Sequence, residues 1–299
     1  MQQGSSRQQV DDDVEITAKF RRNEVLASSR REPKAQPEVV PFVRFGAKTD
    51  LGNVRENNED KFDFFEPTEP VLLAERGSVY AVCDGMGGHS AGQIASELAL
   101  KTFLKAYYDL ELPDIDSALT VAVQAANALV REVAQAIPGR RGMGTTLTAA
   151  ALCENEAHIV HVGDSRCYLV RGEVIEQVTD DHSYVMEQVR LGMMTLEEAQ
   201  VSPYRNVITR SIGMDSVEPD IYRVPLQASD RLVLCTDGLT THVPDDQIAE
   251  VVRSLSPSSA AQRLVEMALE GGGSDNVTVV VVQVLALLPW EQARQIGWV

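Results

Sequence analysis

The chain has 299 residues, 44% of them hydrophobic, and carries a formal net charge of -17 from 44 acidic and 27 basic side chains. That length suits one large domain or two small ones with a sizeable core. The acidity argues against a nucleic-acid binder, which must neutralise phosphates with basic groups, and no run approaches the ~20 apolar residues of a membrane-spanning helix.

Residues 1–40 hold seven acidic against seven basic side chains, so the whole excess belongs to the body from residue 41. There it suits divalent cations, basic peptides or simple solubility. The first 40 residues are rich in Gln, Ser, Arg and Asp and read as a mostly disordered polar tail, with one weak amphipathic pattern over 14–26. They contain no apolar signal core. From Phe42 the texture changes. Residues 79–83 (VYAVC) predict a strand. Ala91, Ile94, Ala95, Leu98 and Ala99 lie at helical spacing and predict a helix over 90–108. A second amphipathic helix covers 117–136, stopped by Pro138-Gly139. Strands follow over 145–152, 157–162 and 166–170, with Gly172 at a hairpin tip. Residues 181–191 read as helical, and Thr195 with Glu198 forms a capping box for another short helix. Residues 231–235 (RLVLC) are a strand, 244–254 and 258–269 are helices, and 277–284 is the last strand. The body runs over 41–287, and 288–299 is a C-terminal extension. Strands follow strands more often than helices, with helix pairs early and late. That pattern predicts an α+β layered domain instead of a doubly wound parallel sheet. Cys83, Cys153, Cys167 and Cys235 lie in or beside strand-like runs without CxxC or zinc spacing. They read as buried reduced thiols in a cytoplasmic protein. Nothing calls for an obligate oligomer, so a monomer is expected.

Four aspartates share one setting. Asp84 follows VYAVC, Asp164 follows IVHVG, Asp237 follows LVLCT, and Asp275 sits between a triple glycine and the last strand. Singly, an Asp-Gly after a strand is usually a turn. Together, carboxylates at neighbouring strand ends repel unless neutralised, and hard cations such as Mg²⁺ and Mn²⁺ neutralise them best. Gly85 would let the backbone carbonyl approach an ion.

The motifs Asn57-Asn58-Glu59-Asp60, Asp84-Gly85-Met86-Gly87-Gly88, Gly142-Met143-Gly144-Thr145-Thr146, Gly163-Asp164-Ser165-Arg166, Thr236-Asp237-Gly238 and Ser274-Asp275-Asn276 stand in order. In this, residues 43–285 resemble the metal-dependent protein phosphatases of type 2C, in their bacterial form. The resemblance implies a central β-sandwich of two antiparallel sheets flanked by helix pairs. It implies hydrolysis of phosphoserine and phosphothreonine in proteins by a water or hydroxide bridged by two Mn²⁺ or Mg²⁺ ions, opposing a serine/threonine kinase. It implies that Asp84 bridges both ions, that the Gly85 carbonyl and Glu59 or Asp60 serve the second, and that Asp237 and Asp275 hold the first. Asp164, with Asp237, corresponds to a third, weaker site. Ser165 and Asn276 are expected to orient carboxylates, and Arg55 to fork onto the substrate phosphate. Residues 179–213 correspond to the family's flap, a loop type that often selects substrates.

The chain also departs from the family pattern. Met86 stands where some relatives carry a histidine, which removes one general acid and leaves a metal-bound water or His182 to serve. Gln93 replaces a frequent glutamate, and Ser202-Pro203 a usual His-Pro. His89 reads as a cap or packing residue, and His158, His161 and His242 as structural. Three other readings were weighed: a regulatory relative acting on an anti-sigma-factor antagonist, a metal-bearing binding scaffold, and a two-metal nuclease. The intact carboxylate set argues against the scaffold, and the acidic body against the nuclease.

Overall fold

A computed structural model describes residues 37–87, 91–112 and 114–298. Most of the expected tail, including the 14–26 pattern, and His89 with its neighbours lie outside these residues.

Twelve strands are described: β1 (Val39–Asp50), β2 (Lys61–Phe65), β3 (Ser78–Cys83), β4 (Gly85–Met86), β5 (Gly144–Thr145), β6 (Leu147–Cys153), β7 (Glu156–Val162), β8 (Arg166–Arg171), β9 (Val174–Gln177), β10 (Asp220–Pro225), β11 (Arg231–Cys235) and β12 (Val277–Pro289). Among the described residues the helices are α1 (Pro70–Arg76), α2 (Ala91–Asp109), α3 (Ile115–Ala136), α4 (Tyr184–Arg190), α5 (Leu196–Val201), α6 (Asp237–Thr240), α7 (Asp245–Ser254), α8 (Pro257–Glu270) and α9 (Trp290–Gln295). Ten strands form two antiparallel sheets, ordered β1-β12-β11-β8-β9 and β10-β7-β6-β3-β2, and β4 pairs with β5 alone. The α+β sandwich expected from the sequence is the fold.

Layering explains the unbroken apolar runs. In β3, Tyr80 and Val82 enter the core between the sheets, while Val79, Ala81 and Cys83 face the core under α2 and α3. In β11, Leu232 and Leu234 face inward, and Val233 and Cys235 face α7 and α8. A central strand buried on both faces has no polar side to show. Small residues on α2 (Ala95 and Ala99) are fully buried and let the helix sit close to the sheet.

Several boundaries differ from expectation. The 145–152 strand is broken at Thr146, whose N–H leaves the ladder to reach the Asp84 carbonyl at 2.9 Å. Helix α4 begins at Tyr184, because Ser183 caps it by accepting from the Met186 N–H. Strand β1 starts at Val39, which pairs with Pro289 at the end of β12. Beyond it, Trp290 of α9 is buried against Val40 and Leu73. Truncating Trp290→Ala should therefore cost about 3–5 kcal/mol. Urea denaturation read by circular dichroism measures this; an unchanged midpoint would mean that α9 does not close the sandwich edge.

Candidate metal centre

The topology brings the strand ends together. β3 and β7 both pair antiparallel with β6, so they run parallel and end at the same edge. Asp84 and Asp164 follow those ends. In the other sheet, the end of β11 pairs with the start of β12 (Cys235 opposite Val279), which sets Asp237 beside Asp275. Asp84, Gly85, Asp164, Asp237 and Asp275 line one pocket of about 580 Å³, with Arg55, Glu59 and Asn276 on its walls.

Local structure fixes each group. The Asp84 N–H donates to Thr146 Oγ1, and the Asp84 carbonyl accepts from the Thr145 hydroxyl, both at 2.8 Å. Gly85 is hemmed in: a Cβ there would lie 2.2 Å from the Gly92 carbonyl oxygen and 2.7 Å from that of Glu59. Gly92 is equally confined, since its Cβ would meet Glu59 Oε2 at 2.4 Å. The Glu59 carboxylate thus lies against the first turn of α2, where the helix dipole favours negative charge. Asn276 is buried and ties loops together. Its amide donates to the Leu51 and Asn57 carbonyls, and its oxygen accepts from the Glu59 N–H. Its own N–H also donates to Asp275 Oδ1 at 2.8 Å, so it orients that carboxylate as well as backbone. Ser165 is one step removed, sharing a hydrogen bond of 2.7 Å with Thr146 Oγ1.

Two expected site residues lie off the pocket lining. Asp60 is 1% exposed and does not line the pocket. Its Oδ2 accepts from Thr236 at 2.7 Å beneath the floor. Of the Asn-Glu-Asp motif, Glu59 is the residue that faces the pocket. His182 is also buried and away from the lining. Its Nδ1 accepts from the Gly163 N–H at 3.1 Å, and Nε2 lies 2.9 Å from Asp220 Oδ2. Both ring nitrogens are engaged, so His182 braces the Gly163-Asp164 turn and is not placed to protonate a leaving group.

Electrostatics set the chemistry. Burial raises the pKa of Asp84 well above the carboxylate range, and Asp60, Asp237, Asp164 and Asp275 add to it. Burial likewise lifts Asp237 to about 6, Asp60 to about 7 and Asp164 to about 8. Arg55 Nη2 lies 2.5 Å from Asp275 Oδ2, and that hydrogen bond raises the arginine's own pKa. Behind the pocket, burial opposes the charge on Arg166, but a two-pronged pair with Asp181 holds it protonated. Its field eases Asp164 and Asp237.

The residues fit hard divalent cations. Asp60 Oδ1 and Asp164 Oδ1 are buried without a partner, a costly state for a carboxylate unless a cation is near. Among the described residues, no three His, Cys, Asp or Glu side chains form a ready-made cage. Arg166, Thr146 and Thr236 were not singled out from the sequence, although each stands inside a quoted motif.

A family model described as protein phosphatase 2C matches residues 47–277. The serine/threonine protein phosphatase PstP of Mycobacterium tuberculosis is 40% identical over 249 residues, which is 83% of this chain; the chain spans 46% of PstP's length. The serine/threonine phosphatase stp of Listeria monocytogenes is 37% identical over 244 residues, covering 79% of this chain and 94% of stp. A crystal structure of the PstP catalytic domain in complex with two manganese ions superposes with a TM-score of 0.71 at 38% identity, over 81% of this chain and 98% of that one.

Two outcomes follow from the buried carboxylates. Their folded pKa values lie above the unfolded value of ~3.9, so the folded state binds more protons. The stability this brings is present below about pH 4 and is lost as pH rises towards the raised values, up to about 8 for Asp164. In chelator, the melting temperature should fall from pH 5 to pH 8, and Mn²⁺ should restore it at pH 8. A flat or rising profile in chelator would contradict the buried cluster. Gly85→Ala should weaken Mn²⁺ binding by at least about tenfold, read by calorimetry, because its Cβ would force Glu59 and α2 away from Asp84; unaltered affinity would remove Gly85 from the site.

Proposed function

This chain belongs to the protein phosphatase 2C family, and we propose that it hydrolyses phosphoserine and phosphothreonine in proteins, opposing a serine/threonine kinase. One observation carries the reading: Asp84, Asp164, Asp237 and Asp275 share a pocket with Arg55 and the Gly85 backbone. Asp84, Asp237, Asp275 and the Gly85 carbonyl are the groups that would hold two ions, Mn²⁺ or Mg²⁺, with Glu59 supporting the second. Asp164 with Asp237 would serve a third, weaker site. Such ions, when bound, lower the pKa of water and offset the negative charge of the phosphate.

The side chains supply the rest. Arg55 is 53% exposed at its side chain and can turn from Asp275 to fork onto two phosphate oxygens. Glu59, held at the start of α2, and Asn276, holding the 57–59 turn, keep the wall of the pocket in place. Among the described residues, the titratable groups on the lining are carboxylates and Arg55. Water is the proposed source of the proton for the departing serine or threonine oxygen.

The flap lies over 179–213. Its ends are tied down by the Tyr184 N–H to the Val207 carbonyl at 2.8 Å and by Ile212 pairing with Thr145. Between them, Asn206 and Ile208 reach the pocket lining. The four cysteines are free and buried, which suits a reducing cytoplasm. No described helix is long and apolar enough to cross a membrane. A monomer with no nucleic-acid partner completes the reading.

Phosphate release from a phosphothreonine peptide should require Mn²⁺ or Mg²⁺ and stop in chelator. Asp237→Asn should lower kcat by about 10²-fold or more. Wild-type protein that binds Mn²⁺ yet releases no phosphate from any phosphopeptide would sink the catalytic reading.

A further inference from the structure

A second cleft of about 270 Å³ opens at the C-terminal end of α3, beside the turn that leads into β5. It shares no lining residue with the carboxylate pocket. Its walls are Arg131, Gln135 and Arg141, its floor includes Gly142 and Gly213, and Asp215 stands at one side. In a chain of net charge -17, this is a cationic concavity.

Cations at a helix C-terminus complement the helix dipole, and that alone would explain one arginine. It does not explain the unsatisfied donors. Arg131 Nε and, in the adjoining turn, Arg140 Nη1 are sealed from water without an acceptor. Arg141 makes no hydrogen bond or ion pair among the described residues. Arg131 is held only at its tip, by the Asp215 carbonyl at 3.3 Å and by Asp215 Oδ1 at 3.0 Å. The Asp215 side chain is 93% exposed and free to swing away. Gly142 leaves its wall bare, since a Cβ there would meet nothing within 4 Å. Forked guanidinium donors around bare backbone match an oxyanion with several acceptor atoms.

We propose that this cleft binds a phosphate-class oxyanion, either free inorganic phosphate or a phosphomonoester carried on a peptide. The anion takes the place of Asp215 at Arg131 and engages Arg141. The site is wired to the catalytic pocket: Gly213 follows Ile212, which pairs with Thr145, whose hydroxyl holds the Asp84 carbonyl. The proposal stands on the cleft alone and does not depend on the phosphatase reading.

Titrating the full chain with inorganic phosphate in chelator tests it, because the carboxylate pocket then repels the anion. Calorimetry should find one site. Arg141→Gln, at an exposed residue without partners, should keep the wild-type melting temperature and weaken binding by about tenfold or more. Arg131→Gln should act likewise. Arg253→Gln, which removes the same charge elsewhere, should leave binding unchanged. A phosphothreonine peptide and its unphosphorylated twin form the second arm. Arg141-dependent binding of the phosphopeptide without binding of inorganic phosphate assigns the site to the esterified anion. Binding of neither ligand, or equal weakening by Arg253→Gln, overturns the proposal.

Discussion

Like charges gathered at the end of two stacked sheets, in a pocket that leaves each only partly exposed to water, must be neutralised or protonated. That constraint organises the rest of the molecule. Asp84, Asp164, Asp237 and Asp275 reach the same place because antiparallel pairing brings strand ends far apart in sequence to one edge. Their mutual repulsion is balanced locally by Arg55 on Asp275 and by Arg166 behind Asp164. The surrounding threonines and Asn276 hydrogen-bond to backbone, to Asp60 and to Asp275. The arrangement is strained electrostatically and firm mechanically, as a pre-organised ion site should be.

What the sequence revealed follows from burial. The central strands β3, β6, β7, β11 and β12 are covered on both faces, so VYAVC, LVLC and the valine run of β12 stand out as unbroken apolar segments. Of the four edge strands, β1, β10 and β2 were not anticipated, and β9 only through the hairpin tip at Gly172. Each mixes polar and apolar residues, as half-covered edges do. β1 even carries Pro41, which an edge tolerates because one side of its backbone needs no partner. The site split along a similar line. The ligand aspartates were legible because glycines and strands frame them. That Asp60 points beneath the floor while Glu59 faces the pocket was not, because adjacent residues in an extended turn point opposite ways and only the pairing with Thr236 decides which. His182 was misjudged for a related reason. A histidine beside a metal motif looks reactive until its two nitrogens are found tied to Gly163 and Asp220.

The supports around the pocket come from far apart in the chain. The Asp84 turn leans on Thr145 and Thr146; these connect through Ile212 to the flap, and through Ser165 to the Asp164 turn. Movement at any of these loops is felt at the carboxylates through backbone bonds, with little side-chain slack between.

The position of β12 has a consequence for how the protein is made. It is the second strand of its sheet, wedged between β1 and β11, and Asp275 stands at its threshold. Val39 pairs with Pro289 and Asp50 with Val277, so β1 must wait for more than two hundred residues to be synthesised before this neighbour arrives. Such non-local pairing makes folding slow. The sheet that supplies Asp237 and Asp275 cannot close on a growing chain until its final central strand has left the ribosome. Assembly of the ion site is thereby postponed until residues 277–289 have been made, and a chain interrupted before Asp275 would lack both the wedge and that carboxylate.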